Sequence, residues 1–181
     1  MDKSIDDILI LSVGKSIWHR LPWLVIGLAG GLVAAGIVEV FESTLKDNLI
    51  LAAFIPLIVY ISDAVGTQME AFIVRDSAIH PRLNFKKYFW KQLTVVGIIG
   101  IVLAALLLFF SFVIYKDFRI SFVLSLSLFV AVISSIFTGL VVPNFFKRLK
   151  LDPANASGPI ATIIQDVVSV FIFFAIASFL L

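Results

Sequence analysis

The chain contains no cysteine in its 181 residues. That excludes disulfides and thiolate metal sites, and it leaves the redox compartment unread. Histidine is nearly as scarce. His19 and His80 both lie in polar flanks, so a His-rich transition-metal site is not expected. Charge is sparse as well: 14% of residues are charged against 61% hydrophobic, and the net charge is +2. A soluble domain of this length would need more polar surface, and no room is left for a separate one. There is no His-Glu-x-x-His, no nucleophile elbow and no paired-His spacing, so the expectation is a protein that is not an enzyme, with no catalytic residue and no organic cofactor. The N-terminus opens with Asp2, Asp6 and Asp7 and lacks a small-residue cleavage pattern, so no cleavable signal peptide is expected.

What is abundant is apolar sequence, and it comes in blocks of about twenty residues, the length that crosses a bilayer as a helix. The predicted fold class is an all-α integral membrane protein with five spans, at about 21–41, 48–74, 93–115, 120–142 and 156–181. Residues 1–19 are expected to form an amphipathic leader, separate from a five-span domain over 20–181. Ser4 can cap that leader helix, and Asp6 and Asp7 sit in its first turn at the positive end of the dipole. The leader could lie in the membrane interface, or it could be a simple helical extension.

Lys and Arg fall unevenly around these spans. Eleven lie in the leader, the second-to-third loop and the fourth-to-fifth loop; three (Lys46, Lys116, Arg119) lie on the other side. The positive-inside rule then puts the N-terminus in the cytoplasm and the C-terminus outside a cell membrane crossed several times. The stretch from Arg75 to Lys91 interleaves basic residues with Phe85, Tyr88, Phe89 and Trp90. It is expected to face the lipid headgroups and not nucleic acid.

The polar residues inside the spans are the functional candidates. Asp166 sits in a segment that is otherwise almost wholly apolar to Leu181. An ionised side chain at mid-bilayer costs about 2.5–3.5 kcal/mol on insertion scales, so intramembrane acids tend to be functional. Helical spacing puts Gly158, Thr162 and Asp166 on one face, with Ser169 continuing it. That face could line a water-filled cation path, or a protonated Asp166 could bond to a neighbouring helix. In the second span Asp63, Thr67 and Glu70 also share a face. Pro56 and Gly66 bracket a region of this span that could kink or unwind; broken backbone at membrane depth is tolerated where it lines a cavity. The alternative ends that helix near Ser62. Glu39 and Glu42, at the exit of the first span, could attract cations to an outer vestibule or be solvated end charges. The third span carries no charge and reads as scaffold. The serines of the fourth span are expected to bond to backbone or neighbours, not to act as ligands, and Pro143-Asn144 is expected to begin its exit. Lys147, Arg148 and Lys150 form a basic cluster after it. Asp152-Pro153 then suits a helix start, with Asp at the cap and Pro at the first position.

Several of these segments resemble one family. Arg20-Leu21-Pro22-Trp23-Leu24, Phe41-Glu42-Ser43, Leu51-Ala52-Ala53-Phe54-Ile55-Pro56-Leu57, Gly66-Thr67-Gln68 and, above all, Asp152-Pro153-Ala154 through Ser157-Gly158-Pro159, Thr162 and Asp166 look like the transmembrane domain of MgtE-type magnesium transporters. The resemblance implies a five-helix protomer, a homodimer in the lipid bilayer, and a cation path between protomers lined by the second and fifth spans. It implies that Asp166 is the metal-holding pore residue, with Gly158 and Thr162 beside it, and that hydrated Mg2+ is the transported ion. Bacterial members of the family usually carry an acidic N-domain and paired CBS modules. These 181 residues hold neither, which raises a separate soluble regulator as a further partner. Gly-Gly-Asn, common in the family's second span, is replaced here by Ser62-Asp63-Ala64, and Asp63 and Glu70 are extra acids.

Two aspartates facing each other across a dimer axis would raise each other's pKa unless a cation lay between them. A divalent ion neutralises the pair, whereas a monovalent ion leaves one charge over. The leading expectation is a divalent-cation channel or transporter. The alternatives are a non-conducting, partner-dependent membrane subunit and a proton- or sodium-coupled exchanger.

Overall fold

The structure is a computed structural model, and it describes residues 11–80, 82–149 and 153–181. Among these residues all regular structure is helical. Five helices are long and apolar enough to cross a membrane: Val13–Val40, Ile50–Ile79, Phe85–Tyr115, Phe118–Phe146 and Ser157–Leu180. The elements in chain order are α1 (Val13–Val40), α2 (Glu42–Asp47), α3 (Ile50–Ile79), α4 (Phe85–Tyr115), α5 (Phe118–Ile136), a π-helical turn (Phe137–Val141), α6 (Val142–Arg148) and α7 (Pro153–Leu180).

The helix starts follow local chemistry. Ser12 accepts from the Lys15 amide at 3.5 Å, Asn84 from the Lys87 amide at 3.1 Å and Asp117 from the Ile120 amide at 3.1 Å. Each side chain satisfies a donor that a helix N-terminus leaves unpaired. Lys116 ends α4 in the left-handed conformation, with φ 56°, which turns the chain within two residues into α5. α7 begins at Pro153, where a missing N–H does no harm. The proposed Asp152 cap and Lys150 lie outside the described residues, as do residues 1–10 of the leader; of Lys147 and Arg148 only the helical backbone is described.

Helix ends extend beyond the apolar blocks. Residues 13–19 are continuous with the first span in α1. The basic connector is divided between the end of α3 and the start of α4. α3 has 30 residues, about 45 Å at 1.5 Å per residue, well beyond a 30 Å hydrocarbon core. It is also one uninterrupted helix through Pro56 and Gly66, so the expected unwinding there is not found. The irregular backbone is instead in the fourth span. Pro143 has no N–H to give the Gly139 carbonyl, and its ring crowds that carbonyl. The preceding turn widens to the π form at Phe137–Val141, and the helix then runs on to Arg148 without exiting at Pro143.

α3, α5 and α7 pack against one another as the core of the bundle; α4 lies against α5, and α1 against α7. α5 is the most enclosed element, with Val123, Leu124, Leu128, Ala131, Val132 and Ile136 all buried. Phe173 and Phe174 of α7 fill the same core, and Phe174 stacks on Phe41 at 5.3 Å. α1 buries no residue within this chain. It grips α7 through Gly27 and Gly30, over which Ile163 sits. A second, smaller cluster joins Val142, Phe146 and Ala161 with Trp23, whose ring meets Phe146 edge-on at 5.9 Å. The far end of α7 is held by Arg119, which donates from Nε and Nη2 to the carbonyls of Leu180 and Leu181 at 2.8 and 3.1 Å. A cation there complements the helix dipole.

Candidate ion site between α3 and α7

The polar faces of α3 and α7 meet. The Thr162 hydroxyl is hydrogen-bonded to the Asp63 carboxylate. About two turns along α3, Glu70 accepts from the Ser157 hydroxyl. Gly158 is the next residue on α7, and a Cβ there would stand 3.9 Å from Glu70 Oε1. Asp166 lies one turn beyond Thr162 and is within electrostatic reach of Asp63, as is Glu70. α3 and α7 run antiparallel, so the order along the groove is Glu70 with Ser157, Asp63 with Thr162, then Asp166. Asp63, Glu70 and Asp166 are all half-buried. Among the described residues no Lys or Arg forms an ion pair with any of them.

Five of the predicted residues are thus brought together: Asp63, Glu70, Gly158, Thr162 and Asp166. Thr67 lies one turn past Asp63 and is exposed. Glu39 and Glu42 are away from this groove at the far end of α1. Both are exposed, and Glu42 pairs with Lys46 at 2.9 Å. Among the described residues no three His, Cys, Asp or Glu side chains converge closely enough to cage a metal. The carboxylates form a ladder along the groove.

Ser169 departs from its expected place. It does not extend the open face of Asp166 but is fully buried, sharing a 2.7 Å hydrogen bond with Ser62 of α3. It also accepts from the Gln165 amide at 2.9 Å. Gln165, 1% exposed, is the polar residue that sequence reasoning passed over. Its Oε1 accepts from Thr138 in the π-turn at 2.8 Å, and its Nε2 reaches the Ala131 carbonyl and the Ser134 hydroxyl, each at 3.2 Å. The i, i+4 pair Gln165/Ser169 was the available signal: it marks a second polar face beside that of Asp166. Four of the fourth-span serines behave as expected, and Ser127 does not: its hydroxyl is buried with no hydrogen-bond partner among the described residues. Ser121, Ser134 and Ser135 bond to their own helix, and Ser125 bonds to the Ala104 carbonyl of α4 at 2.7 Å.

A bundle of five spans with a carboxylate ladder between two of them defines a class: a multi-pass membrane protein with a polar groove suited to cations. The family described as MgtE, divalent cation transporter, matches residues 55–176. The chain belongs to that family. It is 32% identical over 164 residues to the magnesium transporter MgtE of Bacillus subtilis (strain 168), covering 89% of this chain and 36% of the relative. The magnesium transporter MgtE of Enterococcus faecalis is 31% identical over 166 residues, covering 91% and 37%. The magnesium transporter MgtE of Thermus thermophilus is 28% identical over 183 residues, covering 98% and 40%. The chain therefore spans well under half the length of these curated relatives.

Proposed function

We propose that this chain moves divalent cations, Mg2+ foremost, across a cell membrane as a homodimer, along a path lined by α3 and α7. The observation that carries this reading is the meeting of Asp63, Thr162 and Asp166 on two spans, with the carboxylates half-buried and, among the described residues, no Lys or Arg paired to them. Carboxylates at this depth need compensation, and a cation supplies it. Mg2+ dehydrates reluctantly and keeps several waters while one or two carboxylates hold it. A ladder of separated carboxylates suits such an ion better than a tight cage would. A second copy of Asp166 across a two-fold axis would complete a site whose charge matches a divalent ion. Thr67 and Gly158 line the same path, and Glu39 and Glu42 stand at its outer end. The eleven-to-three division of Lys and Arg puts the N-terminus in the cytoplasm; an impermeant thiol reagent applied to single cysteines at positions 82 and 116 reads that orientation. Residues 1–19 act as a leader to the transporting domain at 20–181.

The test is Mg2+ flux into liposomes holding only this purified chain, with Asp166→Asn beside it. Flux in the wild type and none in a folded mutant is the expected result. Equal flux in both would remove Asp166 from the path, and silence in both would favour a subunit that requires a partner.

A further inference from the structure

Both acids at the centre of the groove directly follow a buried polar residue: Ser62 precedes Asp63, and Gln165 precedes Asp166. Those two neighbours belong to one hydrogen-bonded chain. The Ser62 hydroxyl donates to the Val59 carbonyl of its own helix at 3.0 Å. Its proton being used there, Ser169 supplies the proton of the 2.7 Å Ser62–Ser169 bond. Ser169 Oγ is then free to accept from Gln165 Nε2 at 2.9 Å. The second amide proton of Gln165 faces the Ala131 carbonyl and Ser134 hydroxyl of α5. The Thr138 hydroxyl lies 2.8 Å from Gln165 Oε1 and 3.0 Å from the Ser135 carbonyl, so its one proton is shared between these two acceptors. From Gln165 through Ser169 to Ser62 and the Val59 carbonyl the protons run one way, the arrangement in which successive bonds reinforce one another. Ser62, Ser169, Gln165 and Thr138 are all essentially inaccessible. An orphaned amide there would cost more than the bonds are worth singly, so the chain resists rotation of α7 or α3 about its axis.

We infer that this buried chain is the positioning device of the ion path: Gln165, clamped by Thr138 of the π-turn and tied through Ser169 to Ser62, fixes the rotation of α7 against α3 so that Asp166 and Asp63 face the same groove. The inference rests on Asp166 lining the path as proposed above. Residues 165 and 166 are about 100° apart around a helix, so burying one face turns the other toward the groove. The π-turn takes part because it presents Thr138 to Gln165. Gly139, the next residue, makes room: a Cβ there would lie 2.5 Å from the Gly66 carbonyl oxygen, so α3 approaches at this level as backbone against backbone.

The absence of native cysteine permits a direct test. Asp166→Cys and Val167→Cys are made singly in the full chain, each with Gln165 intact and with Gln165→Leu. Labelling by a small charged thiosulfonate reagent is timed in liposomes. With Gln165 present, the Asp166→Cys thiol is expected to label rapidly and the Val167→Cys thiol slowly. With Gln165→Leu the contrast is expected to shrink about tenfold, the scale of one or two lost buried hydrogen bonds. Thr138→Val, which removes one bond from the other side and keeps the volume, should move the contrast the same way by a smaller factor. It keeps the proposal testable where Gln165→Leu does not fold. In the flux assay, Gln165→Leu and Thr138→Val without added cysteines should raise the Mg2+ concentration for half-maximal flux and narrow the preference over Na+. Gln165→Asn should restore part of both. An Asp166→Cys thiol that stays unlabelled with Gln165 in place would overturn the path reading and this inference with it. Equal labelling contrast with and without these side chains would overturn the positioning role alone.

Discussion

Asp63 and Asp166 share a groove but differ in what holds them. Asp63 accepts a hydroxyl from Thr162, which fixes one carboxylate oxygen. Asp166 has no protein donor among its described contacts; its neighbour in the groove is Asp63 itself. Asp166 is thus the carboxylate most in need of a cation, and Asp63 adds field at the same level. Asp63→Asn keeps the size and can still accept from Thr162, so it removes charge with little change of shape. Its expected effect is a drop in Mg2+ flux of about tenfold to a hundredfold, the range for one lost charge-assisted contact, against complete loss in Asp166→Asn. Flux at several Mg2+ concentrations checks the ranking; full activity in Asp63→Asn would confine the site to α7. These acids were legible in the sequence because a charge inside an apolar span is costly and stands out from its neighbours. Gln165 was not. An uncharged amide beside a charged residue draws no attention, and its partners in the fourth span stand 27 to 34 residues away in the chain.

At the scale of elements, all five spans and the short link between the third and the fourth were legible from apolar length, whereas the helix interiors were not. Pro56 and Gly66 suggested a broken α3. Gly66 is instead a contact surface, packed against Ser135 and Thr138 of the fourth span. The backbone irregularity falls where Gly139 and Pro143 stand four apart, a spacing that puts the proline's missing donor opposite the glycine's carbonyl. Gly139→Ala tests this packing. Its Cβ would meet the Gly66 carbonyl oxygen at 2.5 Å and Met69 Cβ at 2.7 Å, so two helix backbones must move apart. The expected cost is about 1–3 kcal/mol, as for other overpacked sites. Gly36→Ala, with open space around the position, should cost nothing and gain up to about 1 kcal/mol of helix propensity. Melting of the two variants in detergent, followed by fluorescence-detected size exclusion, separates them. A Gly139→Ala protein as stable as the wild type would show that the π-turn is not held by this contact.

For the whole molecule, one protomer offers a carboxylate ladder along one groove, and the proposed two-fold axis turns each rung into a pair. Pairing concentrates negative charge in the native assembly that the unfolded chains do not share. Without cations such a dimer would be strained by its own field, and a divalent ion that binds it selectively would add stability by mass action. The melting temperature should rise with Mg2+, by an amount corresponding to about 2.7 kcal/mol when the free ion is a hundredfold above its dissociation constant. Na+ at the same ionic strength should do much less, because it leaves one charge of each pair unmatched and contributes mainly screening. Asp166→Asn should start more stable in the absence of Mg2+ and gain little when it is added. This measurement needs no transport, so it applies even to a chain that conducts only with a partner. A Mg2+-dependent rise of equal size in wild type and Asp166→Asn would move the ion to Asp63 and Glu70, and a rise equal for Mg2+ and Na+ would reduce the ladder to a screened acidic surface.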